Sequence, residues 1–185
     1  MKILCIGDSN TYGYDPRSYI GSRYPEEVRW AGRLRGHEVI NCGLNGMTVP
    51  RDHRRQLGLI DLHEPDLVTV MLGTNDLLSG LSADEITGRM GRFLDPLMSA
   101  GRPVLLIGPP VLQGGDWVTD DESIWESEDL GDRYRELAKA KGCSYADSGE
   151  WGIDVTFDGV HFSPEGHAVF AQRLEVVLGL PQFDY

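Results

Sequence analysis

Lys2-Ile3-Leu4-Cys5-Ile6-Gly7-Asp8-Ser9-Asn10-Thr11 begins as a short, almost unbroken apolar run and stops at a glycine, an acid, a hydroxyl and an amide. An apolar run of this length fits a strand covered on both faces, and the polar residues after it fit the loop beyond its carboxyl end. Similar runs recur at 38–42, 66–72, 103–107 and 143–146. Helical spacing of apolar residues separates them: Val28, Ala31 and Leu34 within 26–35; Ile86, Met90, Phe93, Leu94 and Leu97 within 83–100; and Leu130, Tyr134, Leu137 and Ala138 within 130–141. Ser163 as N-cap and Pro164 at the first helical position open a last helix carrying Phe170, Leu174, Val177 and Leu178. A further helix within 49–63 is weakened by Gly58 and the clustered Arg51, Arg54 and Arg55. Strands alternating with helices imply right-handed crossovers and a mostly parallel five-stranded sheet with helices on both faces, a three-layer α/β/α fold.

In such sheets ligands bind beyond the carboxyl ends of the strands. Four polar segments fall there. Ser9 follows the first strand, Gly46 the second, Gly73-Thr74-Asn75-Asp76 the third, and Asp158-Gly159-Val160-His161 the fifth. A serine hydroxyl needs a base to take its proton, and a neutral imidazole is the best-matched side chain, which selects His161. Asp158, three residues upstream across a glycine turn, can hold the second ring nitrogen protonated. The backbone N–H groups of Ser9 and Gly46 and the amide of Asn75 are the natural donors for an oxyanion. Taken singly, each segment has a plainer reading: Asp8 or Ser9 as a helix cap, Asp158-Gly159 as a turn, the 73–76 segment as a polar turn. Together, in this order on one sheet edge, they point to ester chemistry. His167 is expected at the surface of the last helix, and His37, His53 and His63 lack metal-like spacing.

Composition sets the frame. A chain of 185 residues fits one compact domain over 1–185. A net charge of −12 argues against nucleic acid and anionic membrane surfaces and favours neutral or cationic small molecules. Without an apolar stretch of about 18–20 residues or a leader pattern, the sequence predicts a cytoplasmic protein. Cys5, Cys42 and Cys143 are odd in number and sit in apolar runs, as small core residues do rather than disulfides or zinc ligands.

The four blocks resemble the SGNH (GDSL-like) hydrolases across nearly the whole chain. Residues 7–11 look like the nucleophile block, 41–48 like the glycine block, 73–76 like the asparagine block and 158–163 like the acid and histidine block. The resemblance implies Ser9, Asp158 and His161 as catalytic residues, and Ser9, Gly46 and Asn75 as the oxyanion hole. It also implies a flavodoxin-like sheet and neither metal nor organic cofactor. Residues 7–16 followed by Val28-Arg29-Trp30 are similar to the arylesterase and acyltransferase branch, which implies short acyl or aryl esters, acyl transfer to alcohols, and oligomers in many relatives. Asn10 replaces the family's usual leucine, and Tyr12 and Tyr14 occupy positions that are tryptophan in some relatives.

Asp8, Asn10, Tyr12 and Tyr14, together with Trp117 and Trp125, are the candidate pocket residues. The two tryptophans lie in an acidic segment, 114–132, without lysine or arginine; it reads as a solvated loop leading into a helix, or as a lid over the site. Alternative readings are a carbohydrate O-deacetylase or a lysophospholipase or thioesterase of the same family, and, in another class, a non-catalytic flavodoxin-like module that binds a small ligand.

Overall fold

The computed structural model describes residues 1–18 and 20–179. Five strands, β1 (Lys2–Gly7), β2 (Glu38–Asn41), β3 (Leu67–Met71), β4 (Val104–Gly108) and β5 (Ser144–Asp147), form one parallel sheet in the order β2-β1-β3-β4-β5. All five expected strands are present, with no end shifted by more than one residue. The order reverses between β1 and β3, so the loops leaving these two strands diverge and open a crevice at their carboxyl ends.

Alternation along the strands divides the core into two layers. On one face Leu4 and Ile6 of β1 and Val68 and Val70 of β3 meet Ile86, Met90 and Leu94 of α5 (Ala83–Ser99) and Leu130 and Tyr134 of α6 (Asp121–Lys141). Ile60 of α3 (Arg54–His63) joins that layer. On the other face Ile3, Cys5, Leu105 and Ile107 meet Trp30 and Ala31 of α2 (Trp30–Arg33) and Phe170 and Leu174 of α7 (Pro164–Val177). Short helices α1 (Ser9–Tyr12) and α4 (Thr74–Leu78) begin directly after β1 and β3.

Helix lengths depart from the periodicity. The expected helix over 26–35 is a single turn, α2, because Arg29 is extended and the chain turns at Pro25, whose carbonyl accepts from Val28 N. Helix α3 starts only at Arg54. By contrast α6 starts at Asp121, well before the expected 130: the Asp120 side chain accepts from Ser123 N and Asp121 and Glu122 occupy the first turn, where acids oppose the helix dipole. Much of the acidic segment is therefore helix. Residues 73–76 are the start of α4 rather than a simple turn.

The cysteines are free. Cys5 is buried in the sheet, which pushes its thiol up to about 12, and Cys42 and Cys143 flank the first layer. His167 is not a surface residue: it is fully buried, its Nδ1 accepts from Trp30 N at 3.4 Å, and its ring meets Tyr24 and Phe162 edge-on. Burial lowers its pKa to about 3, with Arg29 and Arg33 adding to the effect.

Candidate active site

Ser9 lies at the crevice because β1 ends at Gly7 and α1 begins two residues later, after the single residue Asp8. The Asp8 carboxylate caps this short helix, its Oδ1 accepting from Asn10 N at 2.9 Å. Close packing demands glycine at 7: a Cβ there would lie 2.0 Å from Thr11 Oγ1. As the first residue of α1, Ser9 has an N–H with no intrahelical acceptor.

The opposite wall is the loop 152–163, which leads into α7. Its turn holds Gly159 at φ +81°, and a Cβ there would come within 2.0 Å of Gln113 O. Asp158 is buried in this turn. Its Oδ1 accepts from Val160 N and His161 N, both at 2.9 Å, and its Oδ2 lies 2.7 Å from His161 Nδ1. Burial acts to raise the Asp158 pKa, but the hydrogen bonds from the His161 ring and from the two backbone N–H groups outweigh it and hold the carboxyl at about 2. An ionised carboxylate can only accept, so Nδ1 carries a proton, and in the neutral ring Nε2 keeps the lone pair. That nitrogen is 3.0 Å from Ser9 Oγ. Residues 9, 158 and 161, expected to act together, form one hydrogen-bonded chain.

Gly46 and Asn75 lie in the segments that follow the carboxyl ends of β2 and β3. Gly46 has φ +71° in a turn closed by Met47 N donating to Leu44 O. Asn75, the second residue of α4, donates from Nδ2 to Met47 O at 3.1 Å, which ties the two segments and leaves its second amide hydrogen uncommitted. A second tie comes from Asp76, which is fully buried and accepts from Val49 N at 2.8 Å and from Arg89 Nη1 at 3.2 Å. No local pattern marks its role in joining the glycine and asparagine blocks, because Arg89 lies 13 residues on, in the separate helix α5. Gly43 is needed for another reason: a Cβ would lie 2.2 Å from Tyr12 N.

The candidate pocket residues divide. Tyr14 and Trp117 flank the His161 ring, with centroids 4.8 and 5.0 Å away. Trp117 is half exposed, and its loop is pinned to the histidine loop by Trp117 N donating to Asp158 O, Asp116 N to Phe157 O and Gln113 N to Gly159 O. Three backbone hydrogen bonds thus tie this segment to the histidine loop. Tyr12 lies under the Arg23 guanidinium, 4.3 Å from its ring centroid. Trp125 is placed apart, on the exposed side of α6 beside Glu122, Glu126 and Asp129.

Asp8 and Asn10, expected to line the pocket, are buried and turned to structural tasks. Asn10 donates from Nδ2 to Val160 O at 3.1 Å and accepts at Oδ1 from Phe162 N at 2.9 Å. Burial pushes the Asp8 carboxyl up to about 6, against the opposing hydrogen bond from Asn10 N. Among the described residues no group of three or more His, Cys, Asp or Glu side chains is placed to hold a metal ion, and no helix is long and apolar enough to cross a membrane.

The chain belongs to the GDSL-like lipase/acylhydrolase family, whose model matches residues 5–169. In solved structures it is similar to a putative arylesterase from Agrobacterium tumefaciens str. C58, with 28% identity, TM-score 0.84, and 96% of this chain and 98% of that chain covered. A carbohydrate acetylesterase from Sinorhizobium meliloti matches with 26% identity and TM-score 0.82, over 96% and 98% of the two chains. An arylesterase of Vibrio mimicus is 31% identical over 114 residues, 57% of this chain and 53% of that protein. The chain thus matches about half the length of this curated relative.

Proposed function

We propose that the protein is a serine esterase that cleaves small, neutral carboxylic esters through an acyl-enzyme on Ser9. The observation that carries this reading is the 3.0 Å approach of His161 Nε2 to Ser9 Oγ, with Asp158 Oδ2 2.7 Å from the other ring nitrogen. As Ser9 Oγ attacks the ester carbonyl, its proton passes to His161, and the Asp158 carboxylate stabilises the imidazolium. Negative charge on the carbonyl oxygen is met by Ser9 N–H, Gly46 N–H and the free Asn75 amide hydrogen, each worth about 10²–10³ in rate. Collapse breaks the ester C–O bond, and His161 returns its proton to the departing alcohol. Water, or a second alcohol in acyl transfer, is then deprotonated by the same ring and releases the acyl group.

The aromatic walls formed by Tyr14 and Trp117, together with the arylesterase relatives, support short acyl or aryl esters as substrates. The acetylesterase neighbour supports a second reading, deacetylation of carbohydrates at the same site. Steady-state kinetics of wild type and Ser9→Ala on p-nitrophenyl acetate, phenyl acetate and an acetylated xylose separate these readings. The principal reading expects the highest kcat/KM on the aryl esters and loss of all three activities in the variant. Preference for the acetylated sugar selects the second, and equal hydrolysis by wild type and Ser9→Ala supports a non-catalytic ligand-binding module.

A further inference from the structure

Away from the Ser9–His161 pair, the loop that precedes α3 and one face of α5 enclose a surface cavity of about 400 Å³. Pro50, Arg51 and His53 form one side, and Arg89, Arg92 and Phe93 the other. The three α5 residues stand at positions i, i+3 and i+4, so helix geometry alone directs them to one face. No carboxylate lines the cavity. Phe93 is itself in the core, so the cavity has a fixed apolar base beneath a basic rim.

The basic rim runs against the character of the chain, in which 29 acids outnumber 17 lysines and arginines. Arg133 pairs with Asp84 and Asp129, Arg135 with Asp132, Asp147 and Glu150, and Arg54 with Asp52. Arg55, Arg102 and Arg173, like Arg51 and Arg92, make no ion pair among the described residues, and what sets Arg51 and Arg92 apart is that they share one cavity with Arg89. Among the described residues Arg51 and Arg92 have no hydrogen bond or ion pair, and Arg89 commits one nitrogen to Asp76. Gathering three guanidinium groups around one cavity costs mutual repulsion, which an anion between them reverses. A guanidinium offers up to five donors in a planar fork that matches the oxygens of carboxylates and phosphates.

We infer that this cavity is a binding site for a small oxyanion of the phosphate class, held by Arg51, Arg92 and the uncommitted donors of Arg89. The bound group is either inorganic phosphate itself or the phosphoryl end of a small organic molecule whose apolar part rests on Pro50 and Phe93. Since the field of a chain at −12 repels anions at long range, binding must come from this local cluster and must weaken with salt. The site stands independently of ester chemistry at Ser9.

Calorimetric titration of the full chain with inorganic phosphate, and separately with glucose 6-phosphate, at constant ionic strength set with sodium chloride, tests the assignment. Wild type should bind one equivalent saturably, and Arg51→Ala/Arg92→Ala should bind at least about tenfold more weakly, since two charge-assisted contacts are lost. Lys139→Ala/Arg173→Ala removes the same charge from α6 and α7 and should leave the affinity within about twofold of wild type. Thermal melts without ligand establish that both variants are folded. Tighter binding of glucose 6-phosphate than of phosphate identifies the organic phosphate as the occupant; equal binding identifies the inorganic ion. The assignment is overturned if wild type binds neither probe saturably, or if the two double variants lose affinity equally. If Arg51→Ala/Arg92→Ala does not fold, single Arg92→Gln in the same titration carries the test, with unchanged affinity as the contrary result.

Discussion

Asn10 accepts a hydrogen bond from Phe162 N at 2.9 Å and, through the other end of the same amide, donates to Val160 O at 3.1 Å. The residue after the nucleophile candidate thereby grips the backbone on both sides of His161, across some 150 positions of sequence. Only an amide supplies a donor and an acceptor in this geometry. Asn10→Asp keeps the acceptor but sets a carboxylate against the Val160 carbonyl; Asn10→Leu leaves Phe162 N buried without a partner. Either change should lower unfolding stability by about 1–3 kcal/mol. Each should also lower kcat more than it raises KM, because the imidazole loses its placement; denaturant melts and ester kinetics measured together check both effects.

Two buried groups pull the acid stability of the protein in opposite directions. His167, held near 3 in the fold, titrates near 6.5 when unfolded, so the unfolded chain binds the extra proton between these values and stability falls as pH drops from about 6.5 toward 3. Asp8 is raised from 3.8 to about 6, so between these values the folded chain binds the extra proton and stability rises as pH drops. Each contributes a slope of about 1.4 kcal/mol per pH unit, and the two nearly cancel between about pH 4 and 6. Asp8→Asn should therefore be more stable than wild type at pH 7 and lose that advantage on acidification. His167→Gln, whose side-chain oxygen can still accept from Trp30 N, should give the opposite pH trend in urea midpoints.

The glycines of the site fail in different ways. At Gly159 an added Cβ meets Gln113 O at 2.0 Å on top of a left-handed φ, so Gly159→Ala should cost several kcal/mol and detach the 113–117 loop from the histidine loop. At Gly46 nothing lies within 4 Å of an added Cβ, so Gly46→Ala carries only the strain of its φ, about 1–2 kcal/mol. The second variant should stay folded while its kcat drops, as circular dichroism and kinetics on one preparation will show.

Trp117 and Trp125 belong to the same acidic stretch but differ in position. Trp117→Ala removes a wall beside His161 and should shift the preference of kcat/KM toward longer acyl chains. Trp125→Ala, on the exposed side of α6, should leave that preference unchanged. A p-nitrophenyl acetate-to-octanoate series reads both variants; equal shifts would show that the two rings share one site.

Much of the architecture is legible in the chain itself. Strands covered on both faces leave continuous apolar runs, so Leu4, Val70 and Leu106 mark the sheet, and the loops after those strands locate Ser9 and Asn75. The separation of Ser9 from His161 is no obstacle, because a parallel sheet delivers every strand end to one edge. Helix lengths are less legible: α6 begins nine residues ahead of its apolar stripe because a cap at Asp120 and an acidic first turn act without any hydrophobic pattern. The burial of His167 is equally silent, since Tyr24, Trp30 and Phe162 reach it from other elements. Asn10 and Asp76 follow the same logic: their partners at 160–162 and 49 are set by the tertiary fold, and nothing local announces them.

The central claim is that Ser9 carries the acyl group. Rapid quenching of wild type and Ser9→Ala during p-nitrophenyl acetate turnover, followed by peptide mass mapping, tests it most directly. Wild type should carry an acetyl group on the peptide containing Ser9, Ser9→Ala should carry none there, and kcat should fall by about four orders of magnitude or more in the variant. An acetyl group on another residue that forms and decays at the turnover rate, or full activity in Ser9→Ala, would contradict it.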